Sequence, residues 1–216
     1  MSHGESEALW LATLRDEAAD TVELLTSARK QERERRTCAA FLRCAGVGFT
    51  ADQIVSSRTE PPDIVFGRTL FEITVVLPPG RRMHDEWRDT TARRTAAQQI
   101  GDLIEPYVHP EVLTRETLVH MISPASEEKA SRYSARNISC REYDLLVYVN
   151  WNAVLQPESP DPDLDAVLCH GWRSLSVLLP PYSYVVFATP DAPQWLRDIA
   201  GTPTAATRTT CGLFDL

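Results

Sequence analysis

The hydrophobic positions of the chain follow two rhythms. Residues 5–44 place Leu9, Leu11, Leu14, Ala18, Val22, Leu25 and Ala28 near helical spacing, and Gly46 and Gly48 close the run. This predicts a long N-terminal helix. The pattern then changes. Val47–Thr50 reads as a short strand, and Pro61-Pro62 breaks the chain before Asp63–Phe66. Gly67-Arg68 reads as a turn, and residues 70–77 form a β-branched, strand-like run ended by Pro78-Pro79-Gly80. Helices are predicted over 83–105, 110–121 and 125–137. Residues 143–149 (YDLLVYV) are almost continuously apolar, as in a central strand covered on both faces. Strands follow at 174–179 and 182–188, with a short helix at 193–199 and a loose polar tail from 201. The order of elements predicts an α/β sandwich with a mixed sheet, built as one domain over 1–216 with a helical N-terminus and a flexible C-terminal tail.

Composition narrows the class. The 216 residues are 43% hydrophobic and 24% charged, which suits a folded globular chain with a sizeable core. No apolar run approaches the length of a membrane span, and the N-terminus lacks a basic segment followed by an apolar one. The five cysteines are scattered and never spaced C-x-x-C. They read as reduced thiols of a cytoplasmic protein. The net charge of −8 argues against non-specific polyanion binding, although a local basic groove is compatible with it. Only Lys30 and Lys129 are lysines among 22 basic residues, so chemistry that needs a lysine has two candidates.

One local arrangement points to chemistry. A two-residue turn at Gly67-Arg68, with glycine first as type II′ prefers, pairs Phe66 with Thr69, Val65 with Leu70 and Ile64 with Phe71. Asp63 then faces Glu72. Opposed like charges destabilise a sheet, and Glu72 shares its face with Leu70, Thr74 and Val76. A carboxylate there needs a partner, a proton or a bound cation. Mg²⁺ or Mn²⁺ suits two carboxylates and a carbonyl. The plainer alternative makes Asp63 a strand-entry residue and Glu72 an edge residue facing solvent or an arginine.

Pro62-Asp63 followed nine residues later by Glu72-Ile73-Thr74 resembles the PD-(D/E)xK signature of restriction-endonuclease-like nucleases. The stretches around residues 28–35, 61–64, 71–72, 80–82, 85–88, 171–176 and 190–193 resemble more closely a bacterial domain-of-unknown-function family whose members are described as endonucleases. The resemblance implies a restriction-endonuclease-like α/β/α sandwich with a central mixed β-sheet. It also implies metal-dependent hydrolysis of DNA, with a possible homodimer and no membrane. Carried onto this chain, Asp63, Glu72 and the Ile73 carbonyl would hold the metal, joined by Glu32 or Glu34 from the first helix. Thr74 stands where the signature has lysine, and Lys30 is the substitute to expect. Arg81, Arg82, Arg88, Arg33 and Arg173 would contact nucleic acid. The alternative is a non-catalytic nucleic-acid- or protein-binding regulatory module on the same fold. Thr74 and the negative charge favour that module, and the opposed carboxylates favour the enzyme.

Overall fold

The computed structural model describes residues 3–206. The chain divides into two compact units, Met1–Arg33 with Leu77–His109, and Glu34–Val76 with Pro110–Leu216.

The first unit is helical. Helix α1 (His3–Leu24) packs with α3 (Met83–Ala96). Reciprocal guanidinium bonds tie them: Arg15 donates to the carbonyls of Arg94 and Ala97 (3.0 and 2.6 Å), and Arg94 donates to that of Leu14 (2.8 Å). The predicted helix over 5–44 is interrupted. A 3₁₀ turn at Ser27–Arg29 separates α1 from α2 (Lys30–Cys44). The end of α1 leaves carbonyls without helical donors. Arg33 supplies them, donating Nη1 to the carbonyls of Leu24 (2.8 Å) and Thr26 (3.3 Å). A break that depends on a side chain from the following helix leaves no glycine or proline mark in the sequence.

The second unit is a mixed α/β sandwich around a seven-stranded sheet. Its strands are β1 (Ile54–Ser56), β2 (Ile64–Phe66), β3 (Thr69–Val76), β5 (Asp144–Val149), β7 (Ser174–Leu179), β8 (Tyr182–Ala188) and β9 (Thr204–Ala205), in the order β1-β2-β3-β5-β7-β8-β9. The central strands β3, β5 and β7 are parallel, and the outer pairings are antiparallel. Two further strands, β4 (Glu111–Leu113) and β6 (Ala153–Leu155), pair separately. The predicted strand at 47–50 is absent, and the first strand lies at 54–56 instead.

The sheet separates two cores. On one face, Cys38, Phe41 and Leu42 of α2 meet Phe71, Leu146 and Leu178. Helix α6 (Gln194–Ile199) adds Leu196 to this core. On the other, α4 (Arg115–Ser134) packs Leu118, Val119 and Ile122 against Leu145, Val147 and Leu175. Successive β5 residues therefore serve opposite cores, which explains the nearly unbroken apolar run there. A short helix, α5 (Asp165–Leu168), completes the unit.

Helix α4 differs from expectation. Pro124 lies inside a single 20-residue helix, where two shorter helices were predicted. A proline removes one helical hydrogen bond, but apolar burial on either side keeps this helix continuous. Cys44 is disulfide-bonded, against the expectation of reduced thiols, while Cys38, Cys140 and Cys169 are free. Spacing along the chain does not limit which cysteines meet in space. Cys211 lies outside the described residues. Among the described residues no helix is long and apolar enough to cross a membrane.

Candidate active site

The site begins with a strand that stops early. The β2–β3 hairpin has the expected register, Phe66–Thr69, Val65–Leu70 and Ile64–Phe71. Gly67 has φ +57° and Arg68 stays in the ordinary φ region, which suits a II′ turn. The regular register ends at Ile64; the Asp63 N–H still donates to the Phe71 carbonyl (3.0 Å), and Pro61-Pro62 before it have no N–H to continue the pairing. Strand β3 continues to Val76 along β5. Beyond Phe71, its backbone groups on the β2 side have no strand partner.

Ile73 is where this matters. Its N–H donates to Asp63 Oδ2 (2.9 Å), and its carbonyl accepts from Lys129 Nζ (2.6 Å). Side chains thus complete the edge that β2 leaves open. Glu72 points to the opposite face from Phe71, towards α4. Lys129 Nζ lies 2.7 Å from Glu72 Oε2 and 3.5 Å from Asp63 Oδ2. One ammonium therefore meets two carboxylates and a carbonyl at once. Tyr133, one helical turn after Lys129, stands beside Glu72 and works against the rise of its carboxyl.

Asp63 and Glu72 are both buried, 7% and 3% exposed, and Lys129 meets both. Burial holds the Glu72 carboxyl above its ordinary value; Lys129 opposes that shift and Asp63 adds to it. Tyr133 is also raised, by burial and then by Glu72. Glu72 Oε1 is buried and has no hydrogen-bond partner. A buried oxygen without a donor carries a desolvation cost of about 1–3 kcal/mol. Two carboxylates, one carbonyl and an unsatisfied oxygen fit a hard divalent cation such as Mg²⁺ or Mn²⁺. Among the described residues, no three His, Cys, Asp or Glu side chains converge in a metal-binding cluster, so a cation here would have only these two carboxylates and the Ile73 carbonyl to hold it.

The structure brings together Asp63, Glu72 and Ile73, with Thr74 two residues further along the same strand. Lysine reaches them from α4, not from the strand position that Thr74 occupies. Lys30 belongs to the first unit. Glu32, also in that unit, pairs with Arg29 at 2.6 Å, and Glu34 is buried on α2. Arg33 caps α1, Arg81 pairs with Glu86, and Arg82 and Arg88 are exposed on the first unit. The side chains of residues 83–85 lie outside the described residues.

Arg173 is largely committed to another buried acid. Its guanidinium donates to both oxygens of Asp144 and to the Arg68 carbonyl (3.2 Å). It also lines a cleft with Arg68, Trp195 and Arg197. Trp172 is 2% exposed and belongs to the core, so it has no face for a base.

Sequence reading missed Lys129 and Tyr133. The scarcity of lysine could have found Lys129. The assumed break at Pro124 hid that it shares a helix with the core residues Leu118 and Ile122.

The comparisons agree with this α/β architecture. A family model described as "Putative endonuclease, protein of unknown function (DUF1780)" matches residues 5–207. A solved structure from Pseudomonas aeruginosa strain PAO1 is 28% identical, covers 96% of this chain and 97% of that one, and has a TM-score of 0.66. It is described as a protein of unknown function of the monooxygenase superfamily, not as a restriction-endonuclease fold. No curated protein matches the chain.

Proposed function

The chain belongs to the DUF1780 family, and from that premise we propose that it is a metal-dependent endonuclease whose centre is Asp63, Glu72, the Ile73 carbonyl and Lys129. In this reading the second unit is a restriction-endonuclease-like sandwich carrying a displaced PD-(D/E)xK site. The observation that carries it is the position of Lys129 Nζ on all three oxygens of the acidic strand.

Each residue has a task that follows from its chemistry. Asp63 and Glu72 supply anionic oxygens, and Ile73 supplies a neutral one. Mg²⁺ or Mn²⁺ bound there would polarise the scissile phosphate and acidify a water. Lys129 provides the positive charge that the signature places two residues after the second acid, where Thr74 can only hydrogen-bond. Tyr133 fixes the Glu72 carboxylate. A pure binding module has no need for two buried carboxylates sharing one lysine, which favours the enzyme. The monooxygenase description of the Pseudomonas protein is not carried over, because the convergent groups here are acids and an ammonium placed to hold cations and move protons.

The test is DNA cleavage with Mg²⁺ or Mn²⁺, comparing the full chain with Asp63→Asn and Glu72→Gln. Each variant is expected to lose at least about 100-fold in rate, the scale of removing one catalytic group. Variants that cut as fast as the parent would sink the assignment.

A further inference from the structure

We propose that Lys129 is the resident cation of this site: in the metal-free protein its ammonium occupies the divalent-cation position and must withdraw before the metal can bind. The inference rests on the endonuclease reading of the site and adds a regulatory step to it.

The geometry carries the proposal. Lys129 Nζ is 2.6 Å from the Ile73 carbonyl, 2.7 Å from Glu72 Oε2 and 3.5 Å from Asp63 Oδ2. These are the same three residues whose oxygens suit the metal. An ammonium has three donors, and here they are directed at one compact oxygen set. Mg²⁺ binds oxygens at about 2.0–2.1 Å, so a metal on this set would lie almost on top of the ammonium. Two positive charges cannot share the same lone pairs. Lysine ends in a point charge on a flexible four-carbon stem, so it can leave by rotating side-chain bonds while α4 stays packed. Its side chain is 15% exposed, which leaves a way out towards solvent. Once displaced, the ammonium is free to meet a phosphate oxygen, a partner it binds well.

The arrangement also explains why Glu72 Oε1 lacks a partner. The ammonium lies on Oε2 and leaves Oε1 without a donor, whereas a divalent ion can draw on both oxygens of one carboxylate.

The experiment is a calorimetric Mn²⁺ titration of the full chain, its Lys129→Gln and Lys129→Arg variants, and Lys129→Gln combined with Glu72→Gln. Lys129→Gln is expected to bind Mn²⁺ at least about 10-fold more tightly than the parent, within the usual range of coupling between two ligands of one site. Lys129→Arg, which keeps the charge, is expected to stay weak, and the double variant to lose the gain. Equal or weaker binding by Lys129→Gln would overturn the competition while leaving the metal site intact. Absence of Mn²⁺ binding in every protein would remove the endonuclease reading, and this inference with it.

A second measurement needs no variant. The chain has two lysines, so acetic anhydride labelling read by mass spectrometry resolves Lys129 against Lys30. Saturating Mn²⁺ is expected to raise Lys129 labelling several-fold relative to Lys30. Unchanged labelling at saturation would overturn the displacement.

Discussion

Two buried acid–base clusters lie along the same sheet, and they are built differently. Asp144, at the start of β5, is 0% exposed and fully served. Arg173 grips both its oxygens, Ser174 Oγ donates at 2.8 Å, and the Leu70 N–H donates at 3.1 Å. One negative charge meets one positive charge, and the donors tie β3, β5 and β7 together. The cluster of Asp63, Glu72 and Lys129 brings one ammonium to two acids and leaves Glu72 Oε1 without a donor. A satisfied buried ion pair is architecture. An undersatisfied one, held in place by strands and a helix, keeps an oxygen that a ligand could use.

The largest effect should come from the balanced cluster. Asp144→Ala strands a mostly buried guanidinium and two further donors, and is expected to cost about 3–5 kcal/mol in urea unfolding. Its Mn²⁺ affinity, measured under folding conditions, should be unchanged. A loss below about 1 kcal/mol would mean that the two clusters do not differ in the way proposed.

Asp63→Asn should behave in the opposite sense. It removes one of two repelling carboxylates, and the amide oxygen can still accept the Ile73 N–H. Stability is expected to stay within about 1 kcal/mol of the parent, because the lost Lys129 attraction is offset by relief of repulsion. Mn²⁺ binding should fall steeply. A destabilisation as large as that of Asp144→Ala would make Asp63 a structural acid.

The smallest effect is a slope against pH. The folded-state pKa of Glu72 is raised above its ordinary value of 4.5, chiefly by burial. A raised folded pKa gives a contribution that is complete below the unfolded value and is lost as pH rises through the folded one. Glu72→Gln lacks that loss. Its melting temperature relative to the parent should therefore rise as pH increases from about 4 to about 8. A flat or falling difference would show that Lys129 and Tyr133 outweigh burial at this carboxyl.

Much of the second unit was legible. Strands β2, β3, β5, β7 and β8 follow their β-branched or apolar runs, and the hairpin register follows from Gly67. Asp63 and Glu72 do meet, although through the Asp63 side chain on the Ile73 amide and not as the last pair of the ladder. The interruption after α1 was hidden because Arg33, from the next helix, creates the cap. Strands β4 and β6 were hidden because each is three residues long and pairs with residues 42 positions away in sequence. Arg173 looked available for nucleic acid because nothing near it in the chain announces Asp144.

By itself, the sequence determined the local matters: which runs become strands, where glycine permits the turn, and which acids a proline pair brings to the strand edge. Backbone preference and side-chain periodicity act over a few residues, so they can be read from neighbours. Only the tertiary structure decided which lysine serves those acids. Lys129 lies 57 positions beyond Glu72, on a helix that continues through Pro124 because its apolar face is buried. The ammonium reaches the edge of β3 because that helix packs across the sheet, and helix-on-sheet packing is set by burial over the whole fold.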